Sequence, residues 1–300
     1  MSTTSTDLIN DTKRILYSGA REAMNKLNGA LTNSTTDASF LYELGMIQGG
    51  VYLGIDLEIL YVWTVQNVST KLVTVERGML GSTAATHADG SVVTVNPKFS
   101  DFTILDTING DLVDLSSPHN GLFKEATVTL TYSPAVMGYD LTGVTDLIDI
   151  LEVKYDLVGP AREWPEIRRW ELRRQSDTGD FASGLALVLY EAAQPGRDVR
   201  VTYAAPYGTF TALGQNIVTQ TGLQATAFDI PPLGAAAQLQ SFREGQRNFN
   251  EAQGDTRRAA EVPVGAQLAG VRGPDTQHRL RIMSERSRLR KRWPYRRRVG

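Results

Sequence analysis

The chain of 300 residues reads as an α+β protein, with helical segments alternating with two β-rich stretches and a basic helix and tail at the end. Three observations predict this. Residues 38–95 and 123–204 alternate apolar side chains with a period of two, while residues 7–16 and 100–115 carry apolar side chains at helical spacing. Residues 279–300 hold ten basic residues against one acid, which is +9 of a net charge of −2, so the remainder of the chain carries −11.

In order along the chain, residues 1–37 form an N-terminal helix and loop. Leu8, Ile9, Thr12, Ile15 and Leu16 share one helical face, Asp7 is the candidate N-cap, and a loop rich in Asn, Ser, Thr and Gly runs from Ser18 to Asp37. Residues 38–97 form a small β-domain. Ile59, Tyr61, Trp63 and Val65 fall on one face of a strand and Leu60 and Val62 on the other, and Asp89-Gly90 is a turn leading into the strand 91–95. Residues 98–120 hold a core helix, with Phe102, Leu105, Ile108, Leu112 and Leu115 in register.

Residues 121–205 read as an antiparallel β-sandwich, with strands at 126–132, 147–155, 169–173, 185–190 and 198–203 and with Trp164 and Trp170 capping or filling it. Residues 206–278 read as a loop to 228, then a core helix opened by Asp229 and Pro231-Pro232 and ended or kinked at Gly254. The last helix starts near Asp275 or Thr276 and stops at Pro294, inside a basic C-terminal arm of residues 279–300.

The absence of cysteine excludes a disulfide framework, a thiolate zinc site and a cysteine nucleophile. Residues 1–11 lack a basic segment followed by an apolar run, and no apolar stretch is long enough to span a bilayer, so neither export nor a membrane is expected. Phosphate-loop, nucleophile-elbow and zinc-protease templates are missing. The three histidines, His87, His119 and His278, are far apart in sequence, and His87 reads as a turn residue whose ring bonds a backbone carbonyl. The pairs Asp146/Asp149 and Asp177/Asp180 read as solvated turns, although carboxylate pairs can serve a glycosidase. Aromatic side chains inside the β periods are expected in the core. No enzyme, cofactor or metal site is therefore expected.

The basic arm admits three readings: a solvated tail, a docking arm that enters an acidic partner groove, or a contact to phosphate backbone. Trp293-Pro294-Tyr295 favours docking, because aromatic residues and arginine anchor interfaces. The candidate docking residues are Arg286, Arg288, Leu289, Arg290, Lys291, Arg292, Trp293, Pro294, Tyr295, Arg296, Arg297 and Arg298.

Residues 75–95, VERGMLGSTAATHADGSVVTV, resemble the E-R-G-x-x-G-[ST]-x-A-x-x-H-x-x-G cassette of tailed-bacteriophage virion proteins. Glu76, Arg77, Gly78, Gly81, Ala84, His87 and Gly90 occupy its positions, and Gly78, Gly81, His87 and Gly90 are its turn-forming members. The remaining layout is similar to head-to-tail connector (adaptor) proteins: a leading helix, an N-P-x-F entry at Asn96–Phe99 and a basic helix ending in Trp293-Pro294. The resemblance implies a helical adaptor core carrying the two β-units. It implies a homo-oligomeric ring, typically of twelve subunits, docked on the portal protein in the virion neck after assembly in the host cytoplasm. Such a ring extends the DNA channel, allows non-specific contact with packaged double-stranded DNA and receives the next neck or tail protein. Other tail and baseplate proteins carry similar hairpins and are the alternative. The 121–205 sandwich is additional to a minimal adaptor.

Overall fold

A computed structural model describes residues 4–17, 22–144, 146–157, 163–193, 195–252 and 266–293, with side chains left out at 242–252 and 266–271. Among the described residues, five α-helices and twelve strands make a mixed α+β fold: one six-stranded antiparallel half-barrel sheet and two small antiparallel sheets. The chain divides into two compact units, Met1–Leu112 with Thr209–Arg281, and Val113–Gly208 with Ile282–Gly300.

The first unit opens with α1 (Ser5–Tyr17). Its N-cap is Thr4, not Asp7: the Thr4 amide and hydroxyl donate to the Asp7 carboxylate while the Asp7 amide donates back to the Thr4 hydroxyl. This reciprocal arrangement satisfies free amides of the first turn. Leu8, Ile9 and Thr12 are buried, and α1 packs against α4 (Ile230–Ala252), whose buried face is small: Ala235, Ala236 and Leu239. Helix α2 (Asp101–Leu115) is capped by the Ser100 hydroxyl, which accepts from the Thr103 amide at 3.1 Å. The stretch expected to be a loop after residue 205 contains α3 (Ile217–Thr221), a single turn built by its caps: Asn216 accepts from the Thr219 amide, and Gly222 leaves at φ 79.

The half-barrel contains β1 (Ala23–Lys26), β2 (Asp37–Ser39), β3 (Tyr52–Ile55), β4 (Glu58–Asn67), β5 (Leu72–Glu76) and β6 (Val92–Val95), in the spatial order β1-β6-β3-β4-β5-β2. One of these strands, β1, lies inside the stretch 18–37 that the sequence reads as loop. Strand β1 carries only Asn25 inward, so it shows no apolar alternation, and its pairing with β6 supplies the stabilisation. The sheet curls until its edges meet: the Asn28 amide donates to Ser39 O and the Leu41 amide to Lys26 O, both at 2.9 Å, around a Leu27–Phe40 bridge. Leu27, Phe40, Leu53, Ile55, Leu60, Val62, Val73, Val75 and Val93 fill the interior. Tyr61 and Trp63 of β4 point outward, and Trp63 is 61% exposed, so this aromatic pair is not core as expected.

The second unit holds β7 (Lys124–Thr131), β8 (Gly138–Asp140), β9 (Asp149–Tyr155), β10 (Trp170–Arg174), β11 (Leu185–Leu189) and β12 (Asp198–Ala205). They form two three-stranded sheets, β7-β12-β9 and β10-β11-β8, which share one core that includes Tyr139, Ile150, Val153, Leu187, Val199 and Val201. Trp170 packs half-buried against that core, and Arg200 lies over the Trp164 ring at 3.9 Å from its centroid. The last helix, α5 (Ala266–Arg292), starts well before the expected residue 276 and carries Pro274 within it.

Candidate functional site

Strand β4 begins with a carboxylate on the wrong face for a solvated residue. Glu58 shares its side of the strand with Leu60 and Val62, and only 1% of it is exposed. A lone buried carboxylate costs several kcal/mol, so this position requires cations and hydrogen-bond donors. The cassette supplies them. Arg77, one residue past β5, donates from Nε and Nη2 to the two Glu58 oxygens, each at 2.7 Å. Its remaining N–H groups reach Thr32 O, Thr35 O and Ala85 O at 2.6–2.9 Å. All five guanidinium donors are used. The amides of Gly78 and Ala85 donate to the same carboxylate.

His87 completes the cluster. Its ring is held between two carboxylates, Nε2 at 2.8 Å from Glu58 and Nδ1 at 2.9 Å from Asp56, and not by a backbone carbonyl as expected. The His87 backbone pairs in both directions with Leu31. With acceptors on both ring nitrogens the imidazole is cationic: hydrogen bonds to Asp56 and then Glu58 push its pKa up from 6.5 to about 9. Burial alone would raise the Glu58 pKa, but the hydrogen bonds from Arg77 and His87 outweigh it and hold the carboxyl down at about 2. Two acids and two bases thus form a neutral, fully bonded cluster that ties three chain stretches to the barrel. The glycines permit the loop path. Gly78 sits at φ 63, where a β-carbon would lie 3.1 Å from Ser82 O, and Gly81 and Gly90 sit at φ 86 and 79. Asp56 and Glu58 lie outside the motif of residues 75–95. The inward parity of Glu58 is the sequence signal that finds it.

The basic segment has a packed part and an exposed part. Leu289 is buried, as are Ile282 and Glu285 on the same face of α5. Arg288 pairs with Glu285 one turn away. Arg286 donates to His119 O at 3.3 Å and lies beside Gly121. Arg292 and the Trp293 indole both reach Glu125, at 2.9 and 3.0 Å. Arg290 and Lys291 are exposed. Pro294, Tyr295, Arg296, Arg297 and Arg298 lie outside the described residues. Within the described residues, the basic segment from 279 to 293 is therefore the end of a packed helix.

Of the other candidate groups, His278, Asp149 and Asp177 each meet a polar group of the protein. His278 Nε2 on α5 lies 3.0 Å from Asp111 Oδ1 on α2, and Gly234 of α4 backs onto the pair. Asp177 caps its own turn by accepting from the Gly179 amide, and with Asp180, Glu171, Arg173 and Phe181 it lines an open cavity of about 520 Å³. Asp149 accepts from the Ile150 amide beside it. Among the described residues no group of three or more His, Asp or Glu is placed to hold a metal ion, and no helix is long and apolar enough to cross a membrane. No family model matches the chain, and neither does any curated protein.

Proposed function

We propose that the chain is a non-catalytic structural protein of a tailed-bacteriophage virion, a head-to-tail adaptor. In this reading it forms a ring, docks on the portal protein in the neck, extends the DNA channel and receives the next neck or tail component. The observation that carries the reading is the cassette of residues 75–95, whose Arg77 and His87 are the cations that a carboxylate buried at position 58 needs. A small barrel locked in this way suits a component held in place by subunit contacts under mechanical load. The helices supply the adaptor core. The acidic remainder of the chain and its basic end supply a long-range attraction between unlike partners. Non-specific contact of the basic end with packaged DNA follows the same charge.

The test separates the tail from the helix that carries it. Deleting residues 279–300 removes buried Ile282, Glu285 and Leu289, so it would damage the fold as well as any docking contact. A chain ending at Trp293 spares them. The expected result is loss of binding to isolated portal rings, with helix content and self-association unchanged. Equal portal affinity for both chains sinks the docking role. A six-fold or three-fold ring located away from the portal by electron microscopy replaces the adaptor reading with a tail or baseplate component.

A further inference from the structure

The outward faces of α2 and α5 carry matching stripes that no described part of the chain covers. On α2 the stripe is Asp106, Gly110 and Val113, at spacing i, i+4, i+7, and all three are exposed. Val113, a large apolar side chain, is 59% exposed. Gly110 lies inside the helix, where glycine is a poor helix former. A β-carbon there would meet nothing within 4 Å, so the surrounding chain gives no steric reason for the glycine. On α5 the stripe is Met283, Ser287 and Arg290, again at i, i+4, i+7 and again exposed. Met283 is 63% exposed, and Lys291 extends the basic end of the stripe.

We infer that the α2 stripe of one subunit packs antiparallel on the α5 stripe of a second copy of this chain. Asp106 then faces Arg290, Gly110 faces Ser287 and Val113 faces Met283. Both stripes run over seven residue steps, about 10.5 Å at 1.5 Å per residue, so the two end pairs coincide and the central pair is offset by one residue, about 1.5 Å. The small central pair lets the helices approach closely, and the apolar pair is withdrawn from water at one end. The charged pair fixes polarity: a parallel alignment would set Asp106 against Met283 and Arg290 against Val113. A second copy is the occupant because each stripe finds its complement in charge and size on the same chain. Two different faces make the contact heterologous, the kind that repeats head to tail and closes into a ring. The inference rests on the ring reading above and supplies its subunit contact.

Charge exchange in the full chain tests it. Asp106→Arg and Arg290→Asp should each raise the concentration for half-assembly by about tenfold or more, read by mass photometry, because each sets like charges face to face. Mixing the two variants restores every contact in an alternating ring, so assembly should return. Gly110→Trp should block assembly with circular dichroism and melting temperature retained, since the site is open in the subunit. If the parent forms rings and the three variants form them equally well, the α2–α5 contact is wrong while the ring reading stands. Recovery of dimers alone in the mixture overturns the head-to-tail arrangement. A parent chain that stays monomeric, alone and with portal, overturns the contact and the ring reading together.

Discussion

Replacing Arg77 with alanine removes one guanidinium that bonds to a carboxylate and to three backbone carbonyls. The Glu58 carboxylate, 1% exposed, keeps His87 and two backbone amides but loses its bidentate partner. Thr32 O, Thr35 O and Ala85 O each lose a donor. Breaking a buried pair from one side costs about 3–5 kcal/mol, a large part of the roughly 5–15 kcal/mol that holds a domain folded. Arg77→Lys keeps the charge but not the planar fork, so it should fall between alanine and the parent. Hydrogen exchange read by mass spectrometry resolves the effect locally, which matters because a chain of two units need not unfold in one step. Amides of β4, β5 and residues 84–91 should exchange at least about a hundredfold faster in Arg77→Ala, with the second unit unaffected. A change below about fivefold in those peptides, roughly 1 kcal/mol, would show that the cluster is not what holds the loop to the barrel.

The same cluster sets a pH window. The folded pKa of His87 is raised to about 9 from 6.5, so its contribution of roughly 3 kcal/mol is complete below pH 6.5 and lost as pH rises through 9. Glu58 is lowered to about 2 from 4.5, so its contribution is complete above pH 4.5 and lost as pH falls through 2. Denaturant midpoints of the barrel should therefore be highest between these limits, and His87→Gln should flatten the alkaline fall; an unchanged alkaline slope in that variant contradicts the assignment. Two glycines should respond in opposite directions to alanine. Gly234→Ala places a β-carbon 2.0 Å from Asp111 Oδ1 and 2.7 Å from His278 Nε2, costing about 1–3 kcal/mol, and an unchanged melting temperature refutes that packing. Gly110→Ala has open space and should gain up to about 1 kcal/mol in a non-assembling background, measured by urea unfolding. Trp293→Phe loses the indole bond to Glu125 and should cost about 1 kcal/mol in the second unit, with a null effect in urea titration counting against that contact.

What the sequence discloses follows burial. Leu60, Val62, Val73 and Val75 alternate because one face of their sheet is dry, so those strands are legible. The same holds for Val199 and Val201 of β12. Strand β1 is not legible, because Ala-Met-Asn-Lys carries no apolar period and its partner β6 lies far along the chain. Strand β8 shows one buried side chain, Tyr139, too few for a period. Helix α5 begins earlier than expected because Pro274 reads locally as a boundary while the helix runs through it. In the site, the motif exposes Arg77 and His87 but not the acids they serve. Asp56 and Glu58 lie on another strand turn, and only core-facing parity marks Glu58. The link between Asp111 and His278 depends on how separate helices meet, which no local pattern encodes.

The division of the chain into interrupted units also orders events during synthesis. Helix α1 is made more than two hundred residues before its packing partner α4. The half-barrel is made from one continuous stretch and can close early. The face carrying Met283, Ser287 and Arg290 is synthesised after the half-barrel, together with later residues of the second unit. Under the proposed contact, a nascent chain that has made α2 does not yet carry the α5 face, so two such chains cannot join through it before α5 is made.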